Sequence, residues 1–170
     1  MRGNVTGVSM EKVLQRVYSS RKASLSLRII SHASVLLSAL AYAMLLVGTY
    51  LREPMLAVRI CVAGAVPFFV VTVLRKLINA PRPYELYSFY ENAPKKKNGS
   101  SFPSRHVFSS FVVAVLSYIL SPWLAFAVSL VGIALSVSRV LLGIHFVRDV
   151  IAGAFIGITS GLIGLVIIVF

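Results

Sequence analysis

The chain has 170 residues (18.5 kDa), of which 58% are hydrophobic and only 13% charged, with a mean hydropathy of +0.87. A soluble domain carries about 25% charged residues, so this composition excludes a soluble globular protein and leaves no room for a soluble domain beside a membrane-embedded one. The formal net charge of +12 resides on Lys and Arg that flank apolar runs, a placement that argues against a nucleic-acid partner and for anionic lipid headgroups or an anionic substrate.

Residues 1–28 carry six basic residues: Arg2, Lys12, Arg16, Arg21, Lys22 and Arg28. Met10, Val13, Leu14 and Val17 recur at helical spacing with Lys12 and Arg16 on another face. This predicts a basic amphipathic helix lying on the membrane surface. Its apolar run is too short and too interrupted for a signal peptide. Residues 29–51 contain no charge and form the first predicted span. Within it, His32 reads as a hydrogen-bonding residue between helices. Arg52, Glu53 and Pro54 make a turn. The second span covers about 55–78, with Arg59 snorkelling near its start and Pro67 kinking it.

Residues 79–103 are the long polar loop. They hold Pro81, Pro83 and Pro94, the run Lys95-Lys96-Lys97, and then Asn98-Gly99-Ser100-Ser101. The three lysines read as a solvated stretch near anionic lipid. The next uncharged stretch, 107–138, would be about 48 Å long as one helix, too long for a bilayer. Ser121-Pro122 splits it into a third span near 104–120 and a fourth near 122–142, with Trp123 at the interface. His145, Arg148 and Asp149 interrupt the pattern before the fifth span, 150–170. Gly153, Gly157, Gly161 and Gly164 predict close packing of that span against its neighbours. The expected fold is all-α: a polytopic membrane helix bundle of about five transmembrane helices plus an N-terminal interfacial amphipathic helix. Residues 29–170 form a single transmembrane domain.

Ionisable residues near membrane spans are costly and need a reason. Arg75, Lys76 and Arg82-Pro83 close the second span, Pro103-Ser104-Arg105-His106 opens the third, and Ser138-Arg139, His145 and Asp149 join the fourth to the fifth. Alternation of five spans brings all three groups to one face. His145 and Asp149 are four apart and share a helix face. A carboxylate there fixes the imidazole tautomer and raises the basicity of its free nitrogen, making His145 a candidate nucleophile. His106 is placed to act as a general acid. Arg75, Arg82 and Arg139 supply forked donors for phosphate oxygens. Ser104 and the amides at the start of the third span add further donors. Arg105 faces either the phosphate or the lipid headgroups. Asp and Glu together number five, and Asp149 is the only Asp. A two-metal phosphatase needs a cluster of carboxylates, so the expectation is metal-free phosphoryl transfer with no cofactor. The only cysteine, Cys61, excludes an internal disulfide.

These residues resemble the motifs of the type 2 phosphatidic acid phosphatase (PAP2) family, the membrane branch of the superfamily that includes vanadium haloperoxidases. That family shows a Lys, six residues and Arg-Pro; then Pro-Ser-Gly-His; then Ser-Arg, five residues, His, three residues and Asp. The third motif is matched at every fixed position by Ser138, Arg139, His145 and Asp149. The second appears as Pro103, Ser104, Arg105 and His106, with Arg in the Gly place, and the first as Arg75 with Arg82-Pro83, so that Arg takes the Lys place and Lys76 lies one residue off register. The resemblance covers roughly 56–170.

It implies a metal-independent lipid phosphate phosphatase working through a phosphohistidine, with His145, His106 and Asp149 catalytic. Arg75, Arg82, Ser104, Arg105 and Arg139 would hold the phosphate. Substrates of the phosphatidic acid or phosphatidylglycerophosphate type and a polyprenyl diphosphate both satisfy the motifs. A non-catalytic lipid-phosphate binder or transporter is the alternative of another class. The expected setting is a bacterial plasma membrane. Leaving out Arg75, Lys76, Arg82, Arg105 and Arg139, the motif face carries ten Lys or Arg: the six of 1–28, Lys95, Lys96, Lys97 and Arg148. The opposite face has only Arg52 and Arg59. Positive residues in short loops favour the cytoplasm, which places the catalytic face inward. The resemblance pulls the other way, since many family members work at the outer face.

Overall fold

The computed structural model describes residues 15, 17, 19–86 and 98–169. Much of the predicted surface helix lies outside these residues, including Arg2, Lys12 and Arg16, and so do Lys95, Lys96 and Lys97 of the polar loop. Residues 21–28 are not a separate element. They form the start of α1, Arg21–Tyr50, whose N-cap Ser20 accepts a hydrogen bond from the Ala23 amide at 3.3 Å. Thirty residues make a helix about 45 Å long, longer than the ~30 Å of hydrocarbon. Its basic first turns therefore reach the headgroup level on the same helix.

After a turn, α2 runs Pro54–Ile78 with proline at its first position, passes unbroken through Pro67, and stops at Asn79 in the left-handed region (φ 44°). A single helical turn, α3, covers Pro83–Leu86. Helix α4, Arg105–Leu116, ends in a 3₁₀ turn, Ser117–Ile119. Ser121 caps α5, Pro122–Leu141, through the Trp123 amide at 3.2 Å. Helix α6 is Val147–Val169.

Among the described residues, four helices are long and apolar enough to cross a membrane, namely α1, α2 with its continuation through α3, α5 and α6. The expected third span is the exception. Its helical run Arg105–Ile119 is about 22 Å long, short of the hydrocarbon thickness. It needs no lipid-matched length because it is the packed centre of the bundle. Val107, Phe108, Ser110, Val112, Val113, Ala114 and Leu116 are all buried, and α6, α5, α1 and α2 all contact it. One core cluster joins Leu45 of α1, Ile60 and Val71 of α2, Phe108, Val112 and Leu116 of α4, and Ile168 of α6. Large apolar side chains such as Leu40, Phe69, Phe126 and Phe155 point outward, as a lipid-facing surface requires.

Small residues let the helices approach. The inner face of α1 is Ser31, Ser34, Ser38, Ala41, Leu45 and Thr49, and Ser38 and Ser110 share a buried hydrogen bond of 2.8 Å between their hydroxyls. His32, by contrast, is exposed on the outer face; the serine supplies the interhelical bond expected of it. At Gly153 and Gly157 of α6, an added Cβ would lie 2.6 Å from the Ser104 carbonyl and 2.5 Å from the Phe108 carbonyl of α4. Far from the three motifs, Arg59 donates to the Ile168 carbonyl near the end of α6 at 3.3 Å.

Candidate active site

The three motif groups meet at one end of the bundle, where α2 ends, α4 begins and the α5–α6 link turns. Their frame is the short stretch before α4. Gly99 is left-handed (φ 65°), and a side chain there would collide with the Asn79 carboxamide, so both backbone and space require glycine. Asn79 Oδ1 accepts from the Ser100 amide at 3.2 Å, and Glu85 Oε1 accepts from the Gly99 amide at 2.7 Å. Arg75 is buried and donates through Nη1 to the Pro103 carbonyl at 2.6 Å and through Nη2 to the Ser100 carbonyl. Arg82, also buried, donates through Nε to the Gly99 carbonyl at 3.0 Å and through Nη1 to the Ile144 carbonyl at 3.5 Å. These two arginines tie the loop together and bring charge to the site at once. The Ser104 amide donates to the Asp149 carbonyl at 2.9 Å, joining the start of α4 to the first turn of α6.

The groups enclose a cavity of about 170 Å³ lined by Arg75, Lys76, Arg82, Arg105 and Arg139, the imidazoles of His106 and His145, and Thr72 and Ser100. Among the described residues, five cations and no carboxylate face it. Arg139 has a buried Nε without a hydrogen-bond partner among the described residues, and an unpaired buried cationic donor favours an anion. Ser104 is fully buried and is not among the lining residues; its Oγ has no partner among the described residues. Asp149 is fully buried behind His145.

His145 and Asp149 do not touch directly: Nδ1 and Oδ2 are 3.7 Å apart. Ser101, fully buried, stands between them. Its hydroxyl donates to Asp149 Oδ2 at 2.6 Å and lies 3.3 Å from His145 Nδ1. A hydroxyl has one proton. Donated to the carboxylate, it leaves Ser101 Oγ to accept from Nδ1–H, which fixes the tautomer with a bare Nε2. The Phe146 amide also donates to Asp149 Oδ2 at 3.0 Å. The His145 imidazole sits in the link between α5 and α6, where burial pushes it down from 6.5 to about 4, Asp149 pulls it up, and Arg82 and Arg75 add to the depression. It is neutral, with an available lone pair, over the ordinary pH range.

Residues 56–169 match the family described as the PAP2 superfamily. The chain belongs to this family. Two solved structures share its fold. The first transmembrane PAP2-type phosphatidylglycerolphosphate phosphatase from Bacillus subtilis aligns with a TM-score of 0.73 and 20% identity, over 98% of this chain and 87% of that one. Aquifex aeolicus LpxE aligns with a TM-score of 0.67 and 21% identity, over 91% of this chain and 93% of that one. No curated protein matches the chain. In this PAP2 chain, Ser101 escapes the motif reading because it lies two residues before Pro103 in an irregular stretch, where no periodicity assigns a direction. Thr72 is one helical turn before Lys76, so its place at the cavity follows from i,i+4 geometry once Lys76 is suspected.

Proposed function

We propose that the protein is a metal-independent phosphatase acting on the terminal phosphoryl group of a membrane lipid through a phosphohistidine. The observation that carries this reading is the His145–Ser101–Asp149 chain presenting a neutral imidazole to a cavity walled by cations. The phosphoryl oxygens lie among Arg75, Arg82 and Arg139, whose fork-shaped donors match them. His145 Nε2 attacks phosphorus, and the positive charge that develops on the ring is stabilised through Ser101 by the Asp149 carboxylate. His106 protonates the leaving oxygen, then accepts a proton from the water that hydrolyses the phosphohistidine. The arginines stabilise charge that builds on the equatorial oxygens. Ser104 serves as the N-cap residue that sets His106 on the first turn of α4.

The test is rapid acid-free quenching of the purified protein with a lipid phosphate carrying a radiolabelled terminal phosphoryl group. An acid-labile, base-stable label on the wild type, absent from His145→Ala, is expected, together with phosphate release in strong chelator. Turnover by His145→Ala above a few per cent of wild type would remove the nucleophile assignment. Tight lipid-phosphate binding without release would favour the non-catalytic reading.

A further inference from the structure

Two cations at the cavity stand outside the three motifs: Lys76, one residue after Arg75, and Arg105, where Pro-Ser-Gly-His has glycine. Arg105 is the first residue of α4 and lines the cavity beside His106. Its guanidinium lies over the Phe68 ring of α2, 5.2 Å from the centroid, a cation–π contact that holds the charge in place and leaves its in-plane hydrogen-bond donors free. Phe68 in turn belongs to a second, apolar cavity of about 340 Å³ between α1, α2 and α4, bordered by Tyr42, Cys61, Phe108 and Val112.

That cavity begins one turn deeper in the bundle, since Phe68 precedes Thr72 by four residues and Phe108 follows Arg105 by three. The Arg105–Phe68 pair is therefore the seam between the cationic cavity and an apolar space suited to a lipid chain. With the terminal phosphoryl group against His145, the next group toward the lipid tail passes Arg105. If that group were an ester oxygen and hydrocarbon, a half-buried guanidinium would be left without an anionic partner.

We propose that Arg105 is a specificity residue for lipids that carry a second phosphate on the tail side of the one removed. The inference rests on the phosphatase reading above. For a diphosphate, His145 Nε2 bonds to the terminal phosphorus as the bond to the bridging oxygen breaks. The lipid monophosphate leaves with that oxygen and its electron pair and takes a proton from His106. Water then adds its oxygen to phosphorus, gives up its proton to His106, and frees orthophosphate and His145. The second phosphate has two chemical sources, a diphosphate and a lipid whose two phosphates are separated by glycerol.

The experiment measures kcat/KM on two pairs, farnesyl diphosphate against farnesyl monophosphate and phosphatidylglycerophosphate against phosphatidic acid. The proteins are wild type, Arg105→Gln and Arg105→Lys. Wild type prefers the two-phosphate member of at least one pair, and the pair concerned names the source. Arg105→Gln lowers that preference about tenfold, the worth of one charge-assisted hydrogen bond, and Arg105→Lys keeps most of it. A variant that folds poorly loses rate on both members equally, so the ratio is unaffected. A wild type without preference, or a preference untouched by Arg105→Gln, overturns the proposal. Failure to hydrolyse any of the four sinks the phosphatase reading itself.

Discussion

Ser101 has one hydroxyl proton to share between a carboxylate and an imidazole, and the 2.6 Å bond to Asp149 decides where it goes. Ser101→Ala removes the link and leaves a 3.7 Å gap between His145 and Asp149. We expect kcat to fall about tenfold to a hundredfold with KM little changed, because a positioning group acts on the attack and not on charge binding. An unchanged kcat would show that the carboxylate acts on His145 without the serine. The same imidazole carries a pH signature. Its folded value of about 4 lies below the ordinary 6.5, so the unfolded chain takes up the proton first as pH falls. The native state then loses stability from about pH 6.5 down to about pH 4. The melting temperature in detergent should drop more for wild type than for His145→Gln between about pH 7 and about pH 5; equal drops would contradict a buried neutral ring. At this scale the motif residues were legible because their types and spacings are chemical. Arg75, Arg82, Arg105, His106, Arg139 and His145 do converge on one cavity. Ser101 was not legible, because a serine in a polar loop looks like any other until the fold brings it between two partners.

Between elements, the glycine face of α6 sets how close the two halves of the site come. The Cβ of Gly153→Ala would meet the Ser104 carbonyl, a backbone atom, at 2.6 Å, whereas that of Gly161→Ala meets the Val115 side chain at 2.7 Å. Neither the carbonyl nor the Val115 Cβ, which is fixed to its own backbone, can rotate away, so α6 must shift in both variants, but only at Gly153 does the shift fall at the level of His106. A misplacement on the order of 1 Å costs up to about a hundredfold in rate. Gly153→Ala should therefore reduce kcat by at least about tenfold, and Gly161→Ala much less; comparable losses in the two purified variants would contradict this. Helix ends were legible where punctuation is strong. Proline opens α2 and α5 within one residue of the expected positions. The start of α1 was not, because basic residues at 21–28 look the same on a surface helix as on the protruding end of a long span. The short α4 was also hidden: apolar composition does not say whether protein or lipid surrounds a helix.

For the whole molecule, the side of the membrane that the cavity faces decides which leaflet supplies its substrate. The cluster of Lys and Arg on the motif face predicts the cytoplasm. Asn98 is exposed at that end and Cys61 is the only native cysteine. Asn98→Cys in a Cys61→Ser background should escape a membrane-impermeant maleimide in intact cells and react after permeabilisation. Labelling of intact cells would turn the site outward, toward lipids handled at the external leaflet.

The clasp around Gly99 has a consequence for engineering. Arg82 holds the Gly99 carbonyl at 3.0 Å and Glu85 holds its amide at 2.7 Å, so the chain on either side of residues 87–97 is pinned before that stretch begins. We therefore expect the site to depend on where these two ends are fastened more than on the length of chain between them. Doubling such a connection costs only about 0.6 kcal/mol of closure entropy. A glycine–serine insert of ten residues, or a small folded reporter, placed between Glu91 and Asn92 should leave kcat/KM within about twofold. The same insert in Glu85→Ala, where the clasp is half undone, should not. That difference would make the stretch a port through which this membrane protein can be tagged, tethered or lengthened while its catalytic end stays as it is.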